Sequence, residues 1–220
     1  MTPSSRFAQD FVADLARLRF ENVFNPYSDT CVVCDGPDAA AKRRRNLQSV
    51  LSVAVDEGVV AVWVGLELGH GGGRRTGLPM TDDNRLQSHG ARFGLAGLER
   101  PTTSGRPTEI TASAVWEALR SVRGRVLLWN VFPLHPHKPG ASLSNRRHLP
   151  IERDAGIAFL TRLKDQLSDA TLVAVGRHAE AALGRAGYAH DAIRHPAYGG
   201  KPDFLAGVAA LQEQWVNPSN

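Results

Sequence analysis

Two hydrophobic periods alternate along this chain, and each switch between them marks an element. Phe7, Phe11, Leu15 and Leu18 recur at helical spacing, so a first helix is expected behind a cap at Ser4 or Ser5. Leu47, Val50, Leu51 and Ala54 place one apolar face on a helix from residue 38 to about 56. The periodicity then stops. Val59-Val60-Ala61-Val62-Trp63-Val64 is apolar without a break, the pattern of a parallel strand covered on both faces. Residues 125–129 and 171–175 repeat that character, and a short last strand is predicted near Ala192-Ile193. Helices are predicted over 111–122, about 151–167, from Gly176 through Leu183, and over 203–215. The run Thr81-Asp82-Asp83-Asn84 reads as one more helix start, with acidic residues at the positive end of the dipole.

Strands alternating with helices give a doubly wound parallel sheet. The expected architecture is α/β, a three-layer α/β/α sandwich around a four-stranded parallel sheet. No linker or repeat divides the chain, so residues 1–220 read as one domain. Ligands of such sheets bind beyond the carboxyl ends of the strands. Gly65, Asn130 and His195 each fall just past a predicted end, so one sheet edge is expected to gather Glu67, Asn130 and His195.

Composition narrows the partners. With 42% hydrophobic and 22% charged residues the chain is an ordinary soluble globule, and no apolar run approaches the roughly 20 residues of a membrane span. The N-terminal stretch lacks the apolar core of a secretion signal, so a cytoplasmic protein is expected. The net charge of +4 is clustered in Lys42-Arg43-Arg44-Arg45, Arg74-Arg75 and Arg146-Arg147, which suits a polyanion such as DNA or, more plainly, a solvated face. Cys31 and Cys34 are the only cysteines; with no second pair and no histidines at finger spacing, they read as thiols in a reducing compartment. No metal or cofactor is expected.

The segments at the strand ends carry complementary chemistry. A carboxylate at Glu67 can orient water and stabilise an oxocarbenium-like sugar. The Asn130 carboxamide offers an acceptor and two donors, matching the imide edge of uracil and mismatching the 4-amino group of cytosine. His195 can donate to a 2-carbonyl oxygen on which negative charge develops. Backbone at Gly65, Leu66, Gly69, His70, Gly71 and Gly72 can approach a ligand or phosphate closely, and Arg74 and Arg75 follow. Arg177 and His178 begin a helix suited to a DNA phosphate.

Six segments in order, from Val59 to about Gly200, resemble the uracil-DNA glycosylase superfamily and within it the single-strand-selective monofunctional branch. Gly65-Leu66-Glu67-Leu68-Gly69 fills the slot of Gly-x-Asp/Asn-Pro-Tyr/Gly, and Gly77-Leu78-Pro79-Met80 that of a Gly-Val-Pro-Phe-like segment. Asn130-Val131-Phe132-Pro133 is similar to Asn-His-Cys-Pro. The segment Ser144 to Pro150, with Arg146, is similar to Ser-Gly-Arg-Asn-Leu-Thr-Pro. Val175-Gly176-Arg177-His178-Ala179-Glu180 resembles Val-Gly-Arg-Phe-Ala-Glu, and Arg194-His195-Pro196-Ala197 contains the counterpart of His-Pro-Ser.

The resemblance implies a uracil-DNA glycosylase-like fold and a monomeric enzyme. That enzyme flips uracil from single- or double-stranded DNA and hydrolyses its N-glycosidic bond without a lyase step. It casts Glu67 and His195 as catalytic, Met80 as the group on the base face, and Tyr198 or Gly199 as the wedge beside the flipped base. Four residues depart from the pattern. Glu67 carries an extra methylene, Leu68 replaces proline and is expected to loosen its loop, Ala197 replaces serine, and Gly69 replaces a thymine-excluding tyrosine. Alternatives are a glycosylase for hypoxanthine, xanthine or 5-hydroxymethyluracil, and a non-catalytic module that binds damaged or abasic DNA.

Overall fold

The computed structural model describes residues 2–105 and 107–216. In chain order its elements are α1 (Pro3–Arg17), β1 (Val23–Phe24), α2 (Ala39–Glu57), β2 (Ala61–Glu67), α3 (Gly73–Thr76), α4 (Leu86–Arg92) and α5 (Ile110–Leu119). Then come β3 (Val126–Phe132), β4 (His135–Pro136), α6 (Pro150–Gln166), β5 (Thr171–Val175), α7 (Arg177–Arg185), β6 (Asp191–Ile193) and α8 (Lys201–Val216).

The three apolar runs and the short last strand pair in parallel in the order β3-β2-β5-β6. Their alternate side chains feed two cores, as a strand covered on both faces requires. Val62, Val64, Trp129 and Ala174 pack with α1, α2, α6 and α7, while Ala61, Trp63, Leu128 and Val173 pack with α5 and α8. Phe11 meets Trp129 edge-on at 5.6 Å, and Trp63 meets Phe204 at 5.9 Å on the opposite side. Full burial of such side chains stabilises by about 1.5–3 kcal/mol each. The layers are therefore those expected, and none of the described helices is long and apolar enough to cross a membrane.

Four local expectations change. The cap of α1 is Thr2, whose hydroxyl accepts from Ser5 N at 3.2 Å ahead of a proline at the first turn. The acidic run at 81–84 is a turn, because Asp82 Oδ1 accepts from Asn84 N at 3.0 Å, and α4 begins only at Leu86. Both β2 and β3 extend further than the apolar runs that announced them, so Gly65 and Asn130 lie inside the ladder as direct neighbours. Finally, β1 and β4 form a two-residue antiparallel ladder that ties the turn-rich segment after α1 to the loop after β3.

Candidate active site

Beyond the carboxyl ends of the four strands the surface opens into a cleft of about 840 Å³. Glu67, Asn130 and His195, brought from three different strands, all line it, as do Gly65, Leu66, Gly69 and Met80.

Asn130 is fixed by the ladder. It stands opposite Gly65, and a Cβ at that glycine would lie 2.5 Å from Asn130 Oδ1, so only glycine fits beside the carboxamide. The side chain is buried, yet Nδ2 has no hydrogen-bond partner among the described residues. A desolvated amide donor left open costs free energy unless a ligand takes it. Met80 approaches from the other side, with its Sδ and Cε each 3.6 Å from that same Cβ position. Its backbone sits at φ +49°, a left-handed conformation for a non-glycine residue, and Trp116 Nε1 donates to its carbonyl at 3.1 Å. The strained residue is thus held with its thioether on the cleft.

Glu67 ends β2. His148 N donates to its Oε1 at 2.9 Å; the His148 ring nitrogen Nδ1 is equally near but off the line of a hydrogen bond. Among the described residues no hydrogen bond reaches Oε2, which is left for a ligand or water. The loop carrying His148 is anchored by Arg146, which grips the buried Glu152 through two contacts of 2.8 and 2.6 Å. His195 follows β6. Its Nδ1 accepts from Ala197 N at 3.2 Å, which places the ring proton on Nε2. Partial burial lowers its pKa, so the ring is neutral near pH 7 and Nε2–H is the free donor. Gly176 packs beneath it at φ +91°, where a Cβ would come within 2.8 Å of His195 Cβ.

Several predicted contacts lie elsewhere. Arg74 is buried, stacked 3.9 Å from the Phe24 ring centroid, with Nη1 3.8 Å from Cys34 Sγ. Arg75 is buried against Asp83 at 2.6 Å and also bonds Ser104 and Gly105. Neither guanidinium reaches the surface, so the expectation that they hold DNA is corrected. Gly72 is also buried, under the Glu109 carboxyl, and Gly71 lies outside the cleft wall. His70 is exposed but outside that wall too, its N donating to Asn145 Oδ1 at 3.0 Å. Arg146 does line the cleft, but its guanidinium is spent on Glu152 and on the carbonyl of His137. Leu68 does not loosen its loop: its side chain is buried, its N donates to Leu134 O, and its carbonyl accepts from His135 Nδ1 at 2.7 Å.

The far rim is different. Arg177 and His178 are exposed at the start of α7, and Arg194 is exposed in a 3.1 Å pair with Asp203. Tyr198 is 100% exposed at φ +54°, followed by Gly199 at φ +75°. Two site residues were not foreseen. His148 lies in the segment resembling Ser-Gly-Arg-Asn-Leu-Thr-Pro without matching a functional position. Glu109 sits in no motif, two residues before the helix predicted from residue 111.

The assembled elements have the uracil-DNA glycosylase-like α/β/α fold. The crystal structure of wild-type SMUG2 from Pedobacter heparinus superposes with a TM-score of 0.62, covering 97% of this chain and 99% of that one at 15% identity. No protein-family model matches the chain. No curated protein matches it either.

Proposed function

We propose that this chain is a monofunctional DNA glycosylase that extrudes uracil, or a closely related base, from DNA and hydrolyses its N-glycosidic bond. The observation that carries this reading is the meeting of Glu67, Asn130 and His195 in one cleft, with the Asn130 amide donor unpartnered. The base stacks on Met80 with its imide edge on Asn130. Departure of the base leaves negative charge on its 2-carbonyl oxygen, and the neutral His195 Nε2–H donates there. Glu67 Oε2 holds the attacking water on the sugar side and offsets the developing positive charge.

The rim supplies what a polyanion needs. Arg177, His178 and Arg194 take backbone phosphates, and Tyr198, exposed on a strained turn at the mouth, enters the space left by the flipped nucleotide. No lysine lines the cleft among the described residues, so no Schiff base forms with the abasic sugar and the strand stays intact. SMUG2, which shares the fold, belongs by name to the branch that the six segments resemble.

The test is incubation with single- and double-stranded oligonucleotides carrying one uracil, followed by alkali. Strand breaks that appear only after alkali are expected. Glu67→Gln, Asn130→Asp and His195→Ala each lower single-turnover release by roughly 100-fold or more. Binding without breaks would mark a non-catalytic module, and full activity in Glu67→Gln would remove the carboxylate from the mechanism.

A further inference from the structure

The two cysteines have no part in the chemistry above, and their setting is not that of two apolar space-fillers. Asp35 N donates to Cys31 O at 3.0 Å, closing one helical turn that puts residues 31 and 34 on the same side. Asp35 Oδ2 accepts from Cys31 N at 2.8 Å, and Arg43 donates to both oxygens of Asp35, so the turn is locked. The thiols pack with Phe24 in a small cluster apart from the two main cores, each within hydrogen-bonding reach of the other. Both side chains are buried, yet Val32 between them is 98% exposed, so the turn that carries them faces solvent.

Arg74 decides what the pair can do. Its guanidinium is buried over the Phe24 ring, and its Nε has no hydrogen-bond partner among the described residues. The nearby carboxylates of Asp35 and Asp83 are taken by Arg43 and Arg75. Arg74 Nη1 instead meets Cys34 Sγ at 3.8 Å. A guanidinium keeps its charge when buried and needs an anion beside it, and here the groups on offer are sulfurs. The two sulfurs are not equivalent. Cys34 donates to Asp35 Oδ1 at 3.5 Å and so keeps its proton, which leaves Cys31 to carry the negative charge. Their proton affinities follow. Burial pushes the Cys31 thiol up, but bonds from Arg74, Cys34 and the backbone at Val33 and Cys34 outweigh it and bring it down to about 7. Burial, the bond to Cys31 and the charge of Asp35 push Cys34 up to about 12.

We propose that Cys31 and Cys34 form a modification site, a dithiol oxidised by small-molecule disulfides, with Cys31 as the attacking thiolate and Cys34 as the resolving thiol. The Cys31 sulfur attacks one sulfur of a disulfide RS–SR, forming a mixed disulfide and expelling one thiolate. The Cys34 sulfur then attacks the Cys31 sulfur and expels the second thiolate, which takes the Cys34 proton. The protein gives two electrons to the small disulfide, which leaves as two thiols. This inference does not depend on the glycosylase reading.

The experiment mixes the reduced, folded full chain with excess dipyridyl disulfide at neutral pH and follows pyridinethione release and product mass. Wild type is expected to release two equivalents and lose two hydrogens, with no pyridyl group retained. Cys34→Ser releases one equivalent and keeps the pyridyl group on Cys31. Cys31→Ser reacts about tenfold or more slowly than Cys34→Ser, as a thiol that stays protonated should beside a thiolate. Arg74→Met, which keeps bulk without charge, slows the wild-type reaction by about threefold or more. Four results would each overturn the inference: a pyridyl adduct that persists on wild type, equal rates for the two cysteine variants, Arg74→Met as fast as wild type, or no reaction until denaturant unfolds the chain.

Discussion

The arginines of the glycine-rich loop and those of the far rim look alike in the sequence and do opposite work. Arg74 and Arg75 are buried, one on an aromatic ring beside a cysteine and the other on a buried carboxylate. Arg177 and Arg194 stand in solvent at the cleft mouth. What separates them is the supply of partners. Asp83, Phe24 and the carbonyls near 105 converge on the loop, so desolvating a guanidinium there is compensated. At the far rim, Arg194 pairs with the surface carboxylate of Asp203, and among the described residues no ion pair holds Arg177. On the function proposed above, one wall of the cleft is thus a rigid frame for the base, and the other is a cationic, aromatic lip for the strand.

Substitutions on the two walls should therefore fail in different ways. The largest effect is expected from Arg75→Ala, which takes the nearest cation from the buried Asp83, leaving it the Thr102 hydroxyl and the more distant Arg100, and costs about 3 kcal/mol of stability; denaturant melts check it, and an unchanged midpoint would return Arg75 to the surface. Tyr198→Ala should leave the melt alone yet slow base release by roughly tenfold, since an aromatic stacked on nucleic acid contributes about 1–3 kcal/mol. Arg177→Ala is milder, weakening DNA binding at low salt and reducing the slope of log K against log salt by about 1.

The rigid wall also carries a pH dependence. Burial and the neighbouring Asp82 push the Glu109 carboxyl up to about 7 from its ordinary value near 4.5. The folded chain then binds a proton that the unfolded chain has lost, so stability falls as pH rises from the ordinary value through about 7. Glu109→Gln should accordingly raise Tm over wild type near pH 8, with the gain gone once the pH is below the ordinary carboxyl value. Identical differences at both pH values would mean that the carboxyl is not desolvated.

The division between the walls also marks what could be read from the chain. Uninterrupted apolar runs told of strands buried on both faces, and the motif residues at their ends told of Glu67, Asn130 and His195, because both signals are local. Partner geometry is not local. Asp83 lies eight residues from Arg75 in a stretch that resembles a helix start, and Glu99, Cys34 and Glu152, which engage Arg45, Arg74 and Arg146, are distant or unremarkable in sequence. Leu68 shows the same limit: a leucine in place of the pattern's proline has an N–H, and the carbonyl of Leu134 takes it up, so the loop is tied. Glu109 was illegible for a further reason. Its meaning comes from the empty volume at Gly69 and Gly72, which exists only once the loop folds against α5.

A crystal structure of the protein with free uracil tests the central claim most directly. The ring should lie on Met80 with its imide edge within hydrogen-bond distance of the Asn130 carboxamide, its 2-carbonyl oxygen at His195 Nε2, and Glu67 on the side where the sugar would attach. Uracil bound away from Asn130, or a cleft that stays empty at saturating uracil, would contradict the account.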